Sequence, residues 1–143
     1  MAALEELRAL YGAYLAETVR LEQARRPGDG LLGFGAGPKD DRCHAEFADA
    51  VSAALERLIA EGPAATQALD VLNFMYAAPL ENADNRLAYW MLLALHARTP
   101  PLAEFLTPGS AALLLAWYKG AYPRRDRFPA QKAVIAALKR RAA

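Results

Sequence analysis

Apolar side chains recur along the chain with a helical rather than a strand period. In the first segment the spacing alternates between three and four residues, at Leu4, Leu7, Tyr11, Tyr14, Thr18 and Leu21. A second stripe with similar spacing consists of His44, Phe47, Val51, Leu55 and Leu58. Residues spaced in this way lie on one face of an α-helix. No segment shows the sustained alternation of apolar and polar residues that is typical of a half-buried strand.

Glycine and proline mark the ends of these segments. Gly62 ends the second segment, Pro79 closes the third, and Thr107 followed by Pro108 is a favourable helix start. The run LAYWMLLAL is apolar on nearly all sides and predicts a central buried helix. The predicted helices are 2–25, 41–61, 63–77, 83–97, 108–122 and 129–141. We therefore predict an all-α protein with one domain, 1–143, formed by a bundle of about six helices with a long Gly-rich loop between the first and the second.

The composition agrees with a globular helical chain and excludes several classes of protein. Of the 143 residues, 55% are hydrophobic and 23% are charged, and alanine and leucine dominate. The single cysteine excludes an intrachain disulfide and a zinc site built on several thiolates. The N-terminus lacks the pattern of a signal peptide, and the longest uncharged run, 105–118, is shorter than the roughly 20 residues of a membrane span. We expect a soluble, cytoplasmic protein with no membrane partner.

The segment GLLGFGAGPKDDRCHAEF, residues 30–47, concentrates the residue types that could form a site. Glycines at 28, 30 and 33 match the dinucleotide-binding pattern G-x-G-x-x-G, but the strand before it and the helix directly after it are missing. Leu31, Leu32 and Phe34 are apolar, which predicts that the loop packs back on the helices, and long loops are often functional. We therefore predict a ligand-binding surface that consists of Phe34, Lys39, Asp40, Asp41, Cys43 and His44.

The start of the second helix indicates binding rather than catalysis. Asp40 or Asp41 would cap the helix, and two carboxylates at its positive end favour a cation over a phosphate. Cys43 and His44 are neighbours, and adjacent helical side chains point about 100° apart, so they are not expected to form a nucleophile and base. We therefore predict no catalytic residues.

A divalent metal is an alternative ligand at this end of the chain. His44 lies on the apolar face of its helix, where a histidine is more often a hydrogen-bonded core residue than a metal ligand. Together with Asp41 and the distant His96, it would supply a mixed set of nitrogen and oxygen ligands that zinc or a similar metal accepts. This hypothesis predicts a metal-binding protein or a metal-dependent enzyme, although no spacing motif supports it.

Charge is distributed unevenly along the chain. Residues 1–99 carry 9 basic and 14 acidic side chains, a net charge of −5, and residues 100–143 carry 8 and 2, a net charge of +6. Near Tyr122 and Phe128 lies a basic cluster that could bind phosphates or stack on bases: Arg124, Arg125, Arg127 and Lys132. The alternative is a solvated loop that pairs with the acidic part of the chain, and a pI near 7.9 argues against a nucleic-acid partner.

Together these features predict a small helical binding or interaction module for an unknown protein or small ligand. Its surface would lie at the Gly-rich loop and the start of the second helix. Metal binding through Asp41, His44 and His96, and anion or nucleic-acid binding through the basic C-terminal third, are the alternatives. The stripe of the first helix fits two arrangements, pairing in a homodimer or packing inside the bundle.

Overall fold

The computed structural model describes residues 2–24 and 38–143, the first three of the second range by their backbone alone, and every regular element in these ranges is helical. The helices are α1 (Ala3–Ala24), α2 (Pro38–Glu61), α3 (Ala65–Glu81), α4 (Arg86–Ala94), α5 (Pro100–Ala103), α6 (Pro108–Ala121) and α7 (Pro129–Ala142). Two 3-10 turns, Leu95–Arg98 and Arg124–Asp126, follow α4 and α6. None of the described helices is both long enough and apolar enough to span a membrane. The all-α class is therefore confirmed, and the predicted Gly-rich loop lies outside the described residues.

The two predicted stripes both face the core. The buried residues of α1 are Leu7, Tyr11, Tyr14, Thr18 and Leu21. Those of the α2 stripe are Phe47, Val51, Leu55 and Leu58. One continuous cluster joins both helices to buried leucines of α3 to α7, which include Leu72, Leu92, Leu102, Leu114 and Leu138. The α1 stripe thus packs against the other helices of this chain, which is the arrangement predicted as packing inside the bundle.

Helix α3 continues through Pro79, where the sequence predicts its end. Proline has no N–H, so the carbonyl of Met75, four residues earlier, loses its helical partner. The Nε2 atom of His96 lies 3.1 Å from that carbonyl oxygen, and the hydroxyl of Tyr122 donates to the carbonyl of Tyr76. The predicted end was wrong because His96, which is distant in sequence, supplies a hydrogen bond to the carbonyl that Pro79 leaves without a helical partner. The Tyr122 hydroxyl binds the next carbonyl of the same turn.

The run LAYWMLLAL forms α4 and the start of the next turn, and it is not buried on all sides. Ala88, Leu92 and Leu93 are buried, but 59% of the surface of Trp90 is exposed. The indole of Trp90 meets the ring of Phe128 edge-on at the surface, with 5.7 Å between the ring centroids. The predicted central helix is therefore corrected to a shorter amphipathic helix with an aromatic contact on its outer face.

Local capping fixes several helix ends. The side chain of Thr107 accepts a hydrogen bond of 3.1 Å from the backbone three residues on, which confirms the predicted start of α6. Gly62 directly follows α2 with a φ of 67°, a conformation that glycine adopts without strain, and confirms the predicted end of that helix. Asn85 caps α4 and also donates a hydrogen bond of 2.9 Å to Thr18 of α1, so one side chain ties the two helices together.

Candidate functional site

A groove between α1 and α2 contains part of the predicted ligand-binding surface. Its volume is about 530 Å³, within the range of small-molecule sites. Cys43 of the predicted surface lies half-buried in its wall. We call this region the α1–α2 groove and define it by its lining residues: Leu10, Ala13, Tyr14, Glu17, Arg20, Arg42, Cys43, Glu46, Phe47 and Ala50.

One wall of the groove is built on aromatic rings from the two stripes. The rings of Tyr14 and Phe47 stack with 3.9 Å between their centroids and an angle of 6° between their planes. The hydroxyl of Tyr14 lies 2.5 Å from Nδ1 of His44. Burial raises the pKa of Tyr14, and the nearby Cys43 raises it further, so this hydroxyl stays protonated at neutral pH. The stack and the hydrogen bond together hold the beginning of α2 against α1.

Four charged side chains line the groove as two ion pairs. On α1, Nη2 of Arg20 donates to Oε1 of Glu17 at 2.5 Å, and this hydrogen bond lowers the pKa of Glu17. On α2, Nε of Arg42 lies 3.2 Å from Oε1 of Glu46. Both pairs join residues three or four positions apart, which are neighbours on a helix surface. Because each arginine has its own carboxylate, the lining carries no net charge.

The predicted ligand-binding surface is described only in part. Phe34 lies outside the described residues, and so do the side chains of Lys39 and Asp40. Asp41 is exposed in the first turn of α2, away from the groove lining. Of the described members of this surface, Cys43 lines the groove, whereas His44 contacts Tyr14 of the groove wall without lining the groove itself.

His96 has different surroundings from His44. It is fully buried, with Nδ1 2.8 Å from the hydroxyl of Tyr118 and Nε2 3.1 Å from the carbonyl oxygen of Met75. A carbonyl oxygen can only accept, so Nε2 carries the proton and Nδ1 accepts from Tyr118. Burial lowers the pKa of His96 to about 4, although the bond to Met75 opposes this shift. The imidazole is therefore neutral at physiological pH.

The structure does not bring the predicted metal ligands Asp41, His44 and His96 into one cluster. Both ring nitrogens of His96 are already hydrogen-bonded to Tyr118 and Met75. In the part of the chain that the structure describes, no group of three or more His, Cys, Asp or Glu side chains is placed to hold a metal ion. His96 does not join the other two residues because it is hydrogen-bonded in the core to the α3 carbonyl that Pro79 leaves without a helical partner.

Three of the four predicted anion-binding residues converge on one cavity of about 360 Å³ at the start of α7. We call this cavity the basic pocket and define it by Arg124, Arg127, Lys132 and Ile135. Arg125 lies outside this lining, is exposed, and has its Nε 3.8 Å from Oδ2 of Asp126. The predicted cluster is thus divided into a pocket of three basic residues and one solvated arginine.

Most of the groove is not evident in the sequence. The sequence pattern predicts Tyr14 only as a core residue of the first helix, and it does not predict the pairs Glu17–Arg20 and Arg42–Glu46. The spacing of opposite charges by three or four residues is a readable signal for such pairs. The sequence carries no comparable signal for which residues of α1 lie opposite which residues of α2.

No protein-family model, curated protein or solved structure matches this chain. A functional assignment therefore depends on the geometry of the two cavities and on the chemistry of the side chains that line them.

Proposed function

We propose that this chain is a cytoplasmic small-ligand-binding module whose ligand occupies the α1–α2 groove. The observation that carries the proposal is one groove of about 530 Å³ that combines aromatic and aliphatic side chains with two complete ion pairs. Ligand sites in proteins are mostly apolar clefts of this size with a few polar groups in fixed positions.

The groove favours a ligand without net charge. Its two arginines and two glutamates form exposed pairs that neutralise each other, so an ionic ligand meets no net opposite charge in the groove. A neutral ligand can form hydrogen bonds with both pairs at the rim. The small side chains of Ala13 and Ala50 leave room between the helices. We therefore propose a neutral molecule with an apolar ring and a few hydrogen-bonding groups.

The same residues support binding better than catalysis. A general base must reach the substrate with an unprotonated atom, whereas His44 does not line the groove and its Nδ1 is engaged with the hydroxyl of Tyr14. Tyr14 is itself unsuited to ionise at neutral pH, because burial raises its pKa. In this proposal Cys43 is a wall residue of the groove.

Substitution of tryptophan for Ala13 tests the proposal, because the indole would fill the space between the helices. The probe is a library of uncharged bicyclic heteroaromatic fragments, with binding observed as shifts of backbone amide resonances. We expect at least one fragment to shift the amides of Ala13, Cys43 and Ala50. In the Ala13→Trp variant the affinity for that fragment should fall by about tenfold or more, a loss of about 1.4 kcal/mol.

The matched control is Ala9→Trp, because Ala9 is exposed on the same helix but does not line the groove. This variant adds the same indole to α1 and should bind the fragment as the unmodified protein does. A library without a single binder at these amides, or equal losses in the two variants, would contradict the proposal.

A further inference from the structure

The basic pocket gathers positive charge without a matching carboxylate. Its lining consists of three basic residues and Ile135, and no acidic residue contributes to it. The acid nearest in sequence is Asp126, whose carboxylate lies 3.8 Å from Arg125 outside the pocket. Among the described residues, Arg124 and Lys132 form no ion pair. Uncompensated like charges around one cavity attract anions.

Arg127 is held in place by backbone carbonyls at the end of α6. Its Nε donates to the carbonyl of Tyr122 at 2.8 Å, and its Nη2 donates to the carbonyl of Lys119 at 3.3 Å. Tyr122 is anchored in turn, because its hydroxyl donates to the carbonyl of Tyr76 in the core. A guanidinium has five N–H groups, so about three remain for a ligand after these two bonds. Its planar donors suit the oxygens of a phosphate, and little side-chain freedom is left to lose on binding.

The other members of the pocket lie on adjacent elements. Lys132 and Ile135 are three residues apart on α7, and Lys132 is in the N-terminal half of that helix, where the helix dipole favours negative charge. Arg124 opens the 3-10 turn that precedes α7. Both basic side chains are exposed, so a ligand can reach them from solvent.

We propose that the basic pocket binds a phosphate group, either as free phosphate or as the phosphomonoester of a small molecule. The cavity of about 360 Å³ fits a compact anion better than an extended polymer. The net charge of +1 and the pI near 7.9 are also lower than those typical of a nucleic-acid binder, which carries a broad positive surface. This site lies on a different part of the chain from the α1–α2 groove and does not depend on the function proposed for that groove.

Calorimetric titration with inorganic phosphate and with phenyl phosphate, at neutral pH and low ionic strength, tests the proposal. The variants Arg124→Gln and Lys132→Gln should each weaken phosphate binding about fivefold, the effect expected for one exposed charge pair. Arg127 is left unchanged, because its substitution would also remove two hydrogen bonds at the end of α6.

The matched control is Arg125→Gln, which removes the same charge one position along the chain but outside the pocket. It should bind phosphate with unchanged affinity. Tighter binding of phenyl phosphate would support an organic phosphomonoester in contact with Ile135, and equal binding of the two probes would support free phosphate. Absence of heat with both probes, or an equal loss in Arg125→Gln and Arg124→Gln, would overturn the proposal.

Discussion

Two core tyrosines have buried hydroxyls with opposite hydrogen-bonding states. The hydroxyl of Tyr122 donates to a backbone carbonyl of α3, whereas the hydroxyl of Tyr11 is buried and has no hydrogen-bond partner among the described residues. The ring of Tyr11 packs edge-on against Phe47 and Phe74, with centroid distances of 5.1 and 4.8 Å. Burial raises the pKa of Tyr11, so its hydroxyl remains neutral but loses its contacts with water. A buried polar group without a partner costs about 1–3 kcal/mol.

Replacement of Tyr11 by phenylalanine should therefore stabilise the protein. The variant keeps both ring contacts and removes the unpartnered oxygen, so we expect the free energy of unfolding in urea to rise by about 1 kcal/mol. The matched change Tyr122→Phe should lower it by about 1–2 kcal/mol, because it leaves the carbonyl of Tyr76 without its side-chain donor. Equal destabilisation by the two substitutions would show that the Tyr11 hydroxyl contributes to stability after all.

At the scale of helices, the sequence predicts faces better than ends. The stripes of α1 and α2 depend only on the helical period, and their predicted core residues are buried apart from the partly exposed Leu4 and His44. The passage of α3 through Pro79 depends instead on donors 21 and 46 residues away in sequence, which no local pattern reveals. The start of α4 has both kinds of support, because Asn85 caps the helix locally and also donates across the bundle to Thr18.

Removal of the Asn85 side chain should loosen the start of α4. In the Asn85→Ala variant, the amide of Ala88 loses its cap acceptor at 3.1 Å and Thr18 loses its donor, so stability should fall by about 1–2 kcal/mol. Hydrogen exchange of the Ala88 amide, measured by NMR, should become faster. Asn85→Asp retains the cap acceptor without the donor to Thr18, so it should restore the slow exchange at Ala88. Fast exchange in both variants would contradict a capping role.

At the scale of the whole molecule, the kinds of side chain in the two candidate sites were predictable, but their grouping was not. The sequence indicates Cys43, His44 and the basic cluster by residue type. Whether Arg124 or Arg125 faces the basic pocket depends on the path of the chain between α6 and α7, and His96 is separated from His44 by its bonds to α3 and α6. Tertiary packing thus decides which members of each predicted set lie in the same site.

The buried position of His96 makes the stability of the whole fold depend on pH. The pKa of His96 is about 4 in the folded chain, against an ordinary value of 6.5, so the unfolded chain binds the proton more tightly. The neutral His96 imidazole makes its full contribution to the free energy of unfolding above pH 6.5, and this contribution is lost as the pH falls towards 4. Each pH unit in this window costs about 1.4 kcal/mol, which gives a loss of about 3 kcal/mol across it.

The variant His96→Gln separates this effect from the titration of other groups. Glutamine at position 96 keeps an N–H for the carbonyl of Met75 but does not titrate, so the loss of stability between pH 6.5 and 4 should be about 3 kcal/mol smaller than in the unmodified protein. The neighbours that face His96 are Tyr76, Tyr118 and Tyr122, and burial raises the pKa of each, so they do not titrate in this window. The comparison is measured by urea unfolding of the variant and the unmodified protein at each pH. If both lost stability in parallel on acidification, the proton would have to bind elsewhere than at the imidazole of His96.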